Sequence, residues 1–597
     1  MTDPGLSLRE QRVLGLAFIA AVLGITVRHM APATAGWSTW AFDLALVAAG
    51  FASTRLLSAT TGRREGLWRA WSSAARWAGP ATILVCVAVL AGAILLLPPI
   101  DLRDQARTAL WSAFGLSGLE LMKQGPYAPQ ASSELLLHVW IVGVAGQLFV
   151  GWSLLVTALG RSRPRLLTGL AVAGGLVSLG FDLWLLAHAK TQQALFLAPA
   201  QAWPFLAGAL AARLRGGPGP ADTSPGDHEA PSLQAAALAL PFYLWSWPLL
   251  GFPVLVLARP LTLAESAAAL AGAVCLAWAT RRRVETPIRR RLAHRPVSAL
   301  RLTAIALGTV AAAGAALLAF DGLPGRAPPA VLAEEAGVLR RPPLQAFCNT
   351  EGFEAPPPDR CTLPAGAAAD VVLWGNSHAD HLSPAVLAWA QARGLGVRQA
   401  SRSGCLPLLR ARAGLVDEDC LAFNRAAVAE WGREKPQVVL LGAGWTVVLD
   451  RAPGNSARDL DAMADELRHT LRVLRAEVGP RTLIVLLGST PDYGFAPGAC
   501  HARRSFLGLD TARCYLARPA NADLAGRVDA KLAALAAAGP GMALYRPWTS
   551  LCEGGLCRTR GAGGPWYADA NHMTEAGGAA QAEALAAVLD SRFPRGP

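Results

Sequence analysis

The feature that most constrains the fold is a series of apolar runs in the first 320 positions, each close to the ~20 residues that a helix needs to cross a bilayer. With 53% hydrophobic and only 16% charged residues, the chain is far from the balance of soluble proteins. The runs predict a polytopic α-helical membrane domain over residues 1–320. We place about nine spans at 13–27, 38–57, 79–98, 136–158, 166–187, 195–212, 233–257, 262–279 and 302–320.

Arginines mark alternate loops between these spans, and basic loops stay on the cytoplasmic side of a membrane. They precede the first predicted span and follow the second, fourth, sixth and eighth: Arg9, Arg12, Arg55, Arg63, Arg64, Arg69, Arg76, Arg161, Arg163, Arg165, Arg213, Arg215, Arg281, Arg282, Arg283, Arg289, Arg290 and Arg291. With the amino terminus inside and nine spans, the chain after Phe320 is expected outside the cytoplasm. We therefore predict a multi-pass protein of the inner (cytoplasmic) membrane with a periplasmic or extracellular carboxy-terminal domain.

The net charge of +13 follows from this topology. Polybasic membrane loops account for such a charge more commonly than a nucleic-acid-binding patch does. We expect membrane lipids and no nucleic acid among the partners.

Eight of the ten cysteines come after the last predicted span, at Cys348, Cys361, Cys405, Cys420, Cys500, Cys514, Cys552 and Cys557. An even number in an oxidising compartment predicts disulfides, and pairing of sequence neighbours is the simplest connectivity. A zinc site is the alternative, but no pair has CxxC spacing and few histidines lie nearby. We expect no metal here.

A Pro-rich stretch at 321–345 indicates a semi-rigid linker between two domains. Beyond it, in residues 346–597, short runs rich in Val, Ile and Leu alternate with helical patterns. The runs lie at 371–375, 438–442 and 483–488, with weaker ones at 396–400 and 542–546. Strands that alternate with helices predict an α/β/α three-layer domain with a parallel sheet.

Ser377 lies directly after the strand pattern VVLWG and one Asn, and before a stretch with helical periodicity. In parallel sheets the reactive residues lie beyond the carboxyl ends of strands. A serine at such a turn can expose its hydroxyl while its own backbone N–H points at a developing oxyanion. A helix cap is the alternative, and on position alone the better one.

Asp569 and His572 lie three residues apart just before the last helical pattern of the chain. A serine hydroxyl needs a nearby base to act as a nucleophile, and an imidazole needs a carboxylate to fix its tautomer. Together with Ser377, the pair predicts a Ser-His-Asp catalytic triad.

The segments Gly375-Asn376-Ser377-His378 and Asp569-x-x-His572 resemble the first and last sequence blocks of the SGNH (GDSL-like) hydrolase superfamily, with Asn where Asp is usual. The resemblance implies an SGNH-like domain over residues 346–597. It also implies an oxyanion hole formed by the backbone N–H groups of Ser377 and, from the second block SGCLPLL, Gly404.

The third block of that family is Gly-x-Asn, whereas LLGAGW in this chain has no Asn. Trp445 or the backbone of residues 442–444 stands there instead, so the oxyanion hole would have one donor fewer. Such a loss can cost a few kcal/mol of transition-state stabilisation. Three neighbours of Ser377 could suggest a metal site, but without a third ligand motif we expect them to shape the helix or meet substrate. They are His378, Asp380 and His381.

Four segments of the amino-terminal half resemble the acyltransferase family 3 membrane domain, at 42–51, 135–152, 243–250 and 284–291. That domain is fused to an SGNH domain in many bacterial surface-polysaccharide O-acetyltransferases. The resemblance implies transfer of an acyl group, usually acetyl, from the cytoplasm towards an envelope polysaccharide or lipid-linked glycan. It implies acetyl-coenzyme A as a candidate acyl donor, with no bound cofactor.

The membrane-domain candidates are Arg12 and His138, but several family positions differ in this sequence. The family pairs an Arg with a His eleven residues later, where this chain has Leu23, and His29 lies off that helical face. Other positions where the family has Glu or His are Ala145, Gly146 and Ser246. Since ionisable groups inside membranes are usually kept for function, these differences predict a weakened or lost coenzyme A reaction. Drift to a scaffold is the alternative.

Three functional hypotheses follow from these patterns. The first is an envelope O-acyltransferase that modifies a polysaccharide through an acyl-enzyme on Ser377. The second is a membrane-tethered SGNH esterase that removes acyl groups, since water can resolve the same acyl-enzyme. The third is a non-catalytic membrane scaffold whose outer domain binds glycan.

Overall fold

A computed structural model of the chain describes residues 8–30, 40–58, 63–123, 134–160, 162–188, 190–215, 231–350, 356–410, 415–451 and 456–593. The chain divides into two compact units, Met1–Arg326 and Ala327–Pro597. The first is helical, and the second contains the strands.

Most described helices of the first unit overlap the predicted apolar runs, whereas α4, α5 and α12 lie between them. They are α1 (Leu8–Met30), α2 (Trp40–Ser58), α3 (Arg63–Leu96), α4 (Pro99–Ala113), α5 (Ser117–Lys123), α6 (Trp140–Leu159), α7 (Pro164–Ala187), α8 (Thr191–Phe196), α9 (Ala202–Leu214), α10 (Pro231–Leu257), α11 (Leu263–Thr280), α12 (Thr286–Leu292) and α13 (Pro296–Ala319). A 3₁₀ turn at Leu137–Val139 precedes α6, and a π-helical turn at Arg281–Glu285 joins α11 to α12.

Seven described helices are long and apolar enough to cross a membrane, so the chain is a multi-pass membrane protein. They are Trp40–Ser58, Gly66–Leu96, Leu137–Leu159, Pro164–Ala187, Ala235–Leu257, Leu263–Leu292 and Pro296–Ala319. For the first predicted span, the apolar stretch within α1 is the shorter Val13–Gly24, and the sixth meets the short helix Ala202–Leu214. The run at 195–212 is divided because α8 ends at Phe196, before Pro199, and α9 begins only at Ala202.

Helices α2 and α9 pack through glycines. A Cβ atom on Gly50 would lie 1.9 Å from the carbonyl oxygen of Phe205, and one on Gly208 would lie 1.9 Å from that of Val47. No larger side chain fits at either point, and small residues of this kind let membrane helices approach closely. The short α9 is therefore held along α2 by backbone contact.

The second unit has a central sheet with the strand order β1-β4-β3-β5-β6-β8, all parallel, and β2 adds to β4 in the antiparallel sense. The strands are β1 (Asn349–Thr350), β2 (Thr362–Leu363), β3 (Val371–Gly375), β4 (Val397–Arg402), β5 (Val438–Gly442), β6 (Leu483–Leu487), β7 (Leu516–Ala517), β8 (Met542–Tyr545), β9 (Cys552–Glu553), β10 (Leu556–Arg558), β11 (Arg560–Gly561) and β12 (Gly564–Pro565). All five predicted strands are present.

Helices cover both faces of this sheet. They are α14 (Pro329–Leu339), α15 (Gln345–Cys348), α16 (Pro358–Cys361), α17 (Ser377–Asp380), α18 (Ser383–Gln391), α19 (Glu418–Glu434), α20 (Trp445–Arg451), α21 (Ser456–Val478), α22 (Pro497–Phe506), α23 (Ala512–Tyr515), α24 (Ala522–Ala538), α25 (Trp548–Leu551), α26 (Glu575–Ala579) and α27 (Ala582–Arg592). From β3, Val372 and Trp374 pack with α19, α21 and α24, whereas Val371 and Leu373 pack with α18 and α27. The predicted three-layer α/β/α fold is confirmed.

Part of the stretch interpreted as a linker, residues 321–345, is helical. Pro329 occupies the first position of α14, where a proline costs a helix no hydrogen bond. The Glu334 carboxylate of this helix lies 3.1 Å from the Arg560 guanidinium and 3.5 Å from Nδ1 of His501. These contacts tie α14 to the rest of the second unit.

Four disulfides join sequence neighbours in the second unit. They are Cys348–Cys361, Cys405–Cys420, Cys500–Cys514 and Cys552–Cys557. The neighbour pairing is confirmed, and it indicates an oxidising, extracytoplasmic compartment for this unit.

Candidate active site

The turn between β3 and α17 is shaped by Gly375 and Asn376. Gly375 has a φ of 152°, and a Cβ there would lie 1.7 Å from the carbonyl oxygen of Gly442 on the paired strand β5. The side-chain Oδ1 of Asn376 accepts the backbone N–H groups of His378 at 2.9 Å and Gly444 at 3.1 Å. Asn376 thus caps α17 and links the ends of the two strands, so the cap that Ser377 could have supplied comes from Asn376.

The three residues of the predicted triad lie in one hydrogen-bonded line. The Ser377 hydroxyl oxygen is 2.9 Å from Nε2 of His572, and Nδ1 of His572 is 2.8 Å from Oδ2 of Asp569. Ser377 and His572 are both buried. In this arrangement the imidazole can take the hydroxyl proton while the carboxylate fixes its tautomer.

Asp569 stays ionised in this setting. Burial raises the pKa of its carboxyl, but the charge and hydrogen bond of His572 and the backbone N–H groups of Asn571 and His572 outweigh burial and lower the pKa to about 2. A carboxylate that is ionised throughout the neutral range can stabilise an imidazolium on His572.

The loop that carries Asp569 and His572 is held from two sides. On one side the loop after β6 donates the Tyr493 backbone N–H to the Ala570 carbonyl at 3.1 Å, and Asp492 accepts the Asn571 side-chain amide at 3.0 Å. On the other side, Nδ1 of His381 accepts the Met573 backbone N–H at 3.2 Å. The position of the His572 ring therefore depends on groups outside the predicted triad.

The second unit matches a known protein family. Residues 344–587 match the family model described as an SGNH domain fused to AT3 domains. The second unit contains an SGNH domain. The match lies wholly in the second unit, so the assignment of the first unit to acyltransferase family 3 stays a prediction.

One solved structure similar to this chain is the periplasmic domain of the lipopolysaccharide acetyltransferase of Salmonella ser. Paratyphi A. The two sequences are 18% identical, the match covers 44% of this chain and 94% of the Salmonella domain, and the TM-score is 0.32. Among curated proteins, none matches the chain.

Two further ionisable residues of the SGNH domain, Asp380 and His381, lie beside the triad and are fully buried. Burial raises the pKa of Asp380 to about 7, and its Oδ1 accepts the side-chain amide of Gln399 at 2.6 Å. Burial and then the charge of His572 lower the pKa of His381 to about 3, so its ring is neutral at physiological pH. Within the described residues, no group of three or more His, Cys, Asp or Glu side chains is placed to hold a metal ion.

The oxyanion candidates lie at the same edge of the sheet. Gly404 follows β4, whose Ser401 pairs with Gly375, so its loop lies at the carboxyl ends of the strands beside the Ser377 turn. One of the third-block alternatives, Trp445, is engaged elsewhere. The indole N–H of Trp445 donates to the Leu487 carbonyl at 2.9 Å within the core.

The membrane-domain candidates are placed only in part. His138 is buried, and its Nε2 lies 3.0 Å from the carbonyl oxygen of Leu244. Arg12 and His29 fall in α1, but their side chains lie outside the described part of the structure. Leu23 is more than half exposed, and the hydroxyl of Ser246 donates to the Tyr243 carbonyl of its own helix.

Proposed function

We propose that the SGNH domain is an O-acyltransferase that transfers an acyl group, most simply acetyl, through an acyl-enzyme on Ser377. The observation that carries the proposal is the hydrogen-bonded line from Ser377 through His572 to Asp569. Such a line activates a serine hydroxyl that is otherwise a poor nucleophile at neutral pH.

The proposed reaction has two halves. The Ser377 oxygen attacks the acyl carbonyl carbon as its proton passes to Nε2 of His572, and the tetrahedral intermediate expels the leaving group, which takes that proton. In the second half, a glycan hydroxyl gives its proton to His572 and attacks the ester, which releases the acylated glycan and restores the Ser377 hydroxyl. Asp569 orients the imidazole and offsets its charge in both halves.

The proposed acceptor is a cell-envelope polysaccharide or lipid-linked glycan. Two features support it: the disulfides, which indicate an extracytoplasmic SGNH domain, and the membrane unit, whose sequence resembles acyltransferase family 3. We infer that the membrane concerned is the inner (cytoplasmic) one. The residues that would handle acetyl-coenzyme A in that family do not fit, since Leu23 and Ser246 stand at two of their positions. No step of the proposed reaction therefore runs through coenzyme A.

The test is Ser377→Ala in the full chain, with O-acetylation of the isolated envelope polymer measured by mass spectrometry. We expect the acetyl groups added by this protein to disappear. Ser591→Ala is the matched control, because Ser591 is exposed and its hydroxyl donates only to the Val588 carbonyl of its own helix. Unchanged acetylation in Ser377→Ala would exclude the proposal.

A membrane-tethered esterase is the second candidate, and the replaced family residues in the membrane unit favour it. The triad serves both reactions, because water can replace the glycan hydroxyl. Incubation of the purified full chain with an acetyl ester separates them. Free acetate that does not decrease when glycan is added indicates the esterase, and acetylated glycan indicates the transferase.

A further inference from the structure

The backbone of Gly444, and its lack of a side chain, determine how this oxyanion hole can be completed. In LLGAGW, Gly442 and Gly444 occupy the first and third positions of the family's Gly-x-Asn block, so Gly444 stands where the Asn side chain would be. Gly442 pairs with Gly375, which places Gly444 two residues beyond β5 as Ser377 is two residues beyond β3. The Gly444 backbone N–H donates to Asn376, so it is already used.

The ring of His378 fills the space that an Asn side chain would need. A Cβ atom on Gly444 would lie 2.7 Å from Cδ2 and 2.8 Å from Nε2 of His378. At those distances an Asn at position 444 would overlap the His378 ring in its present position. The missing Asn and the present His378 are therefore alternative occupants of one place beside the nucleophile.

The orientation of the His378 ring is fixed from its other nitrogen. Nδ1 lies 2.8 Å from the Thr490 hydroxyl oxygen, and the ring centroid lies 4.9 Å from that of His572. When the Thr490 hydroxyl donates to Nδ1, the ring hydrogen is on Nε2, the atom beside Gly444. The carbonyl of Thr490 accepts the Asn521 side-chain amide at 3.0 Å, which holds this loop in place.

We propose that His378 is a catalytic residue whose Nε2–H donates to the oxyanion, in place of the Asn of the third block. This rests on the proposed function, because it concerns the tetrahedral intermediate formed at Ser377. As the Ser377 oxygen bonds to the carbonyl carbon, the C=O π pair moves to oxygen, and His378 shares its hydrogen with that charge without transferring it. The pair returns to the carbonyl when the leaving group departs with the proton of His572.

The test compares kcat and KM of the purified full chain, in detergent micelles, with p-nitrophenyl acetate as the acyl donor. His378→Met keeps much of the side-chain volume but removes the N–H, and we expect kcat to fall by about 10²-fold with KM little changed. His378→Gln keeps an N–H near the position of Nε2 and is expected to retain more activity than His378→Met. If His378 only supported the fold, kcat of His378→Gln would not exceed kcat of His378→Met.

The exchange of occupants provides the decisive comparison. Gly444→Asn alone should reduce kcat, since its side chain collides with His378. Added to His378→Ala, the same change should raise kcat about tenfold above that of His378→Ala alone. If it gives no increase, or if His378→Met keeps wild-type kcat, the proposal is overturned. Ser377→Ala, assayed in parallel, distinguishes a failure of this inference from a failure of the proposed function. If Ser377→Ala is active, the proposed function itself is refuted. If Ser377→Ala is inactive and His378→Met keeps wild-type kcat, only this inference is refuted.

Discussion

Asp569 holds His572 at two points: its Oδ2 lies 2.8 Å from Nδ1 of the ring, and its Oδ1 accepts the backbone N–H of the same residue at 2.8 Å. One carboxylate therefore fixes both the direction of the ring and the path of the loop that carries it. The spacing of three residues makes this possible within a single turn.

Replacement of Asp569 tests that relationship. In Asp569→Asn the amide can donate to Nδ1, which favours the tautomer that leaves Nε2 protonated and unable to accept the Ser377 proton. We expect kcat for p-nitrophenyl acetate to fall by about 10²- to 10⁴-fold with the fold retained. Asp465→Asn, an exposed carboxylate paired only with Arg468 on α21, is the control. Equal turnover in the two variants would contradict the assigned role of Asp569.

Asp380 predicts a pH dependence of stability. Burial raises the pKa of its carboxyl to about 7, although the amide of Gln399 and the charges of His572 and Arg341 oppose this. Between about pH 4 and pH 7 the folded protein therefore binds a proton that the unfolded chain releases, so this residue lowers stability as pH rises through that window.

Asp380→Asn should remove that penalty. We expect its gain in melting temperature over the wild type to be larger at pH 8 than at pH 4, by about 2–4 °C for each kcal/mol recovered. The measurement is thermal unfolding of the full chain in micelles at both pH values. A gain that is the same at the two pH values would show that Asp380 ionises normally.

The four disulfides should stabilise the second unit by different amounts, because they close loops of different length. Cys405–Cys420 closes a loop of 15 positions and Cys552–Cys557 one of five. In the chain-entropy account these loops stabilise the fold by about 3 and about 2 kcal/mol. Cys405→Ala with Cys420→Ala should therefore lower the melting temperature more than the same change at Cys552 and Cys557.

The connectivity of the disulfides can be measured by non-reducing peptide mapping. The map should give four neighbour pairs, and any crossed pair would contradict the structure.

The sequence predicted the sheet well because strands buried on both faces read as continuous apolar runs, as VVLWG and VVLLG do. The candidate triad was predicted from residue types and the Asp569-to-His572 spacing, which are local. The exposed or buried state of Asp380 was not predictable, since it depends on Gln399 of the neighbouring strand β4.

Other features depend on contacts between distant segments and were missed. Helix α14 carries prolines that indicated a linker, but its Glu334 is fixed by Arg560 near the other end of the unit. The short α9 lacks the length of a span, and its contact with α2 requires Gly50 and Gly208 together. The absent Asn at Gly444 was visible in the sequence, whereas the His378 ring beside it was not.

The most direct test of the central claim is covalent labelling of the full chain with a fluorophosphonate probe, followed by peptide mass spectrometry. An activated serine is expected to react, so the probe should be found on Ser377 and be lost in Ser377→Ala and greatly slowed in His572→Ala. Labelling at another serine, or none in the folded wild-type protein, would contradict serine acyl chemistry and favour a glycan-binding scaffold.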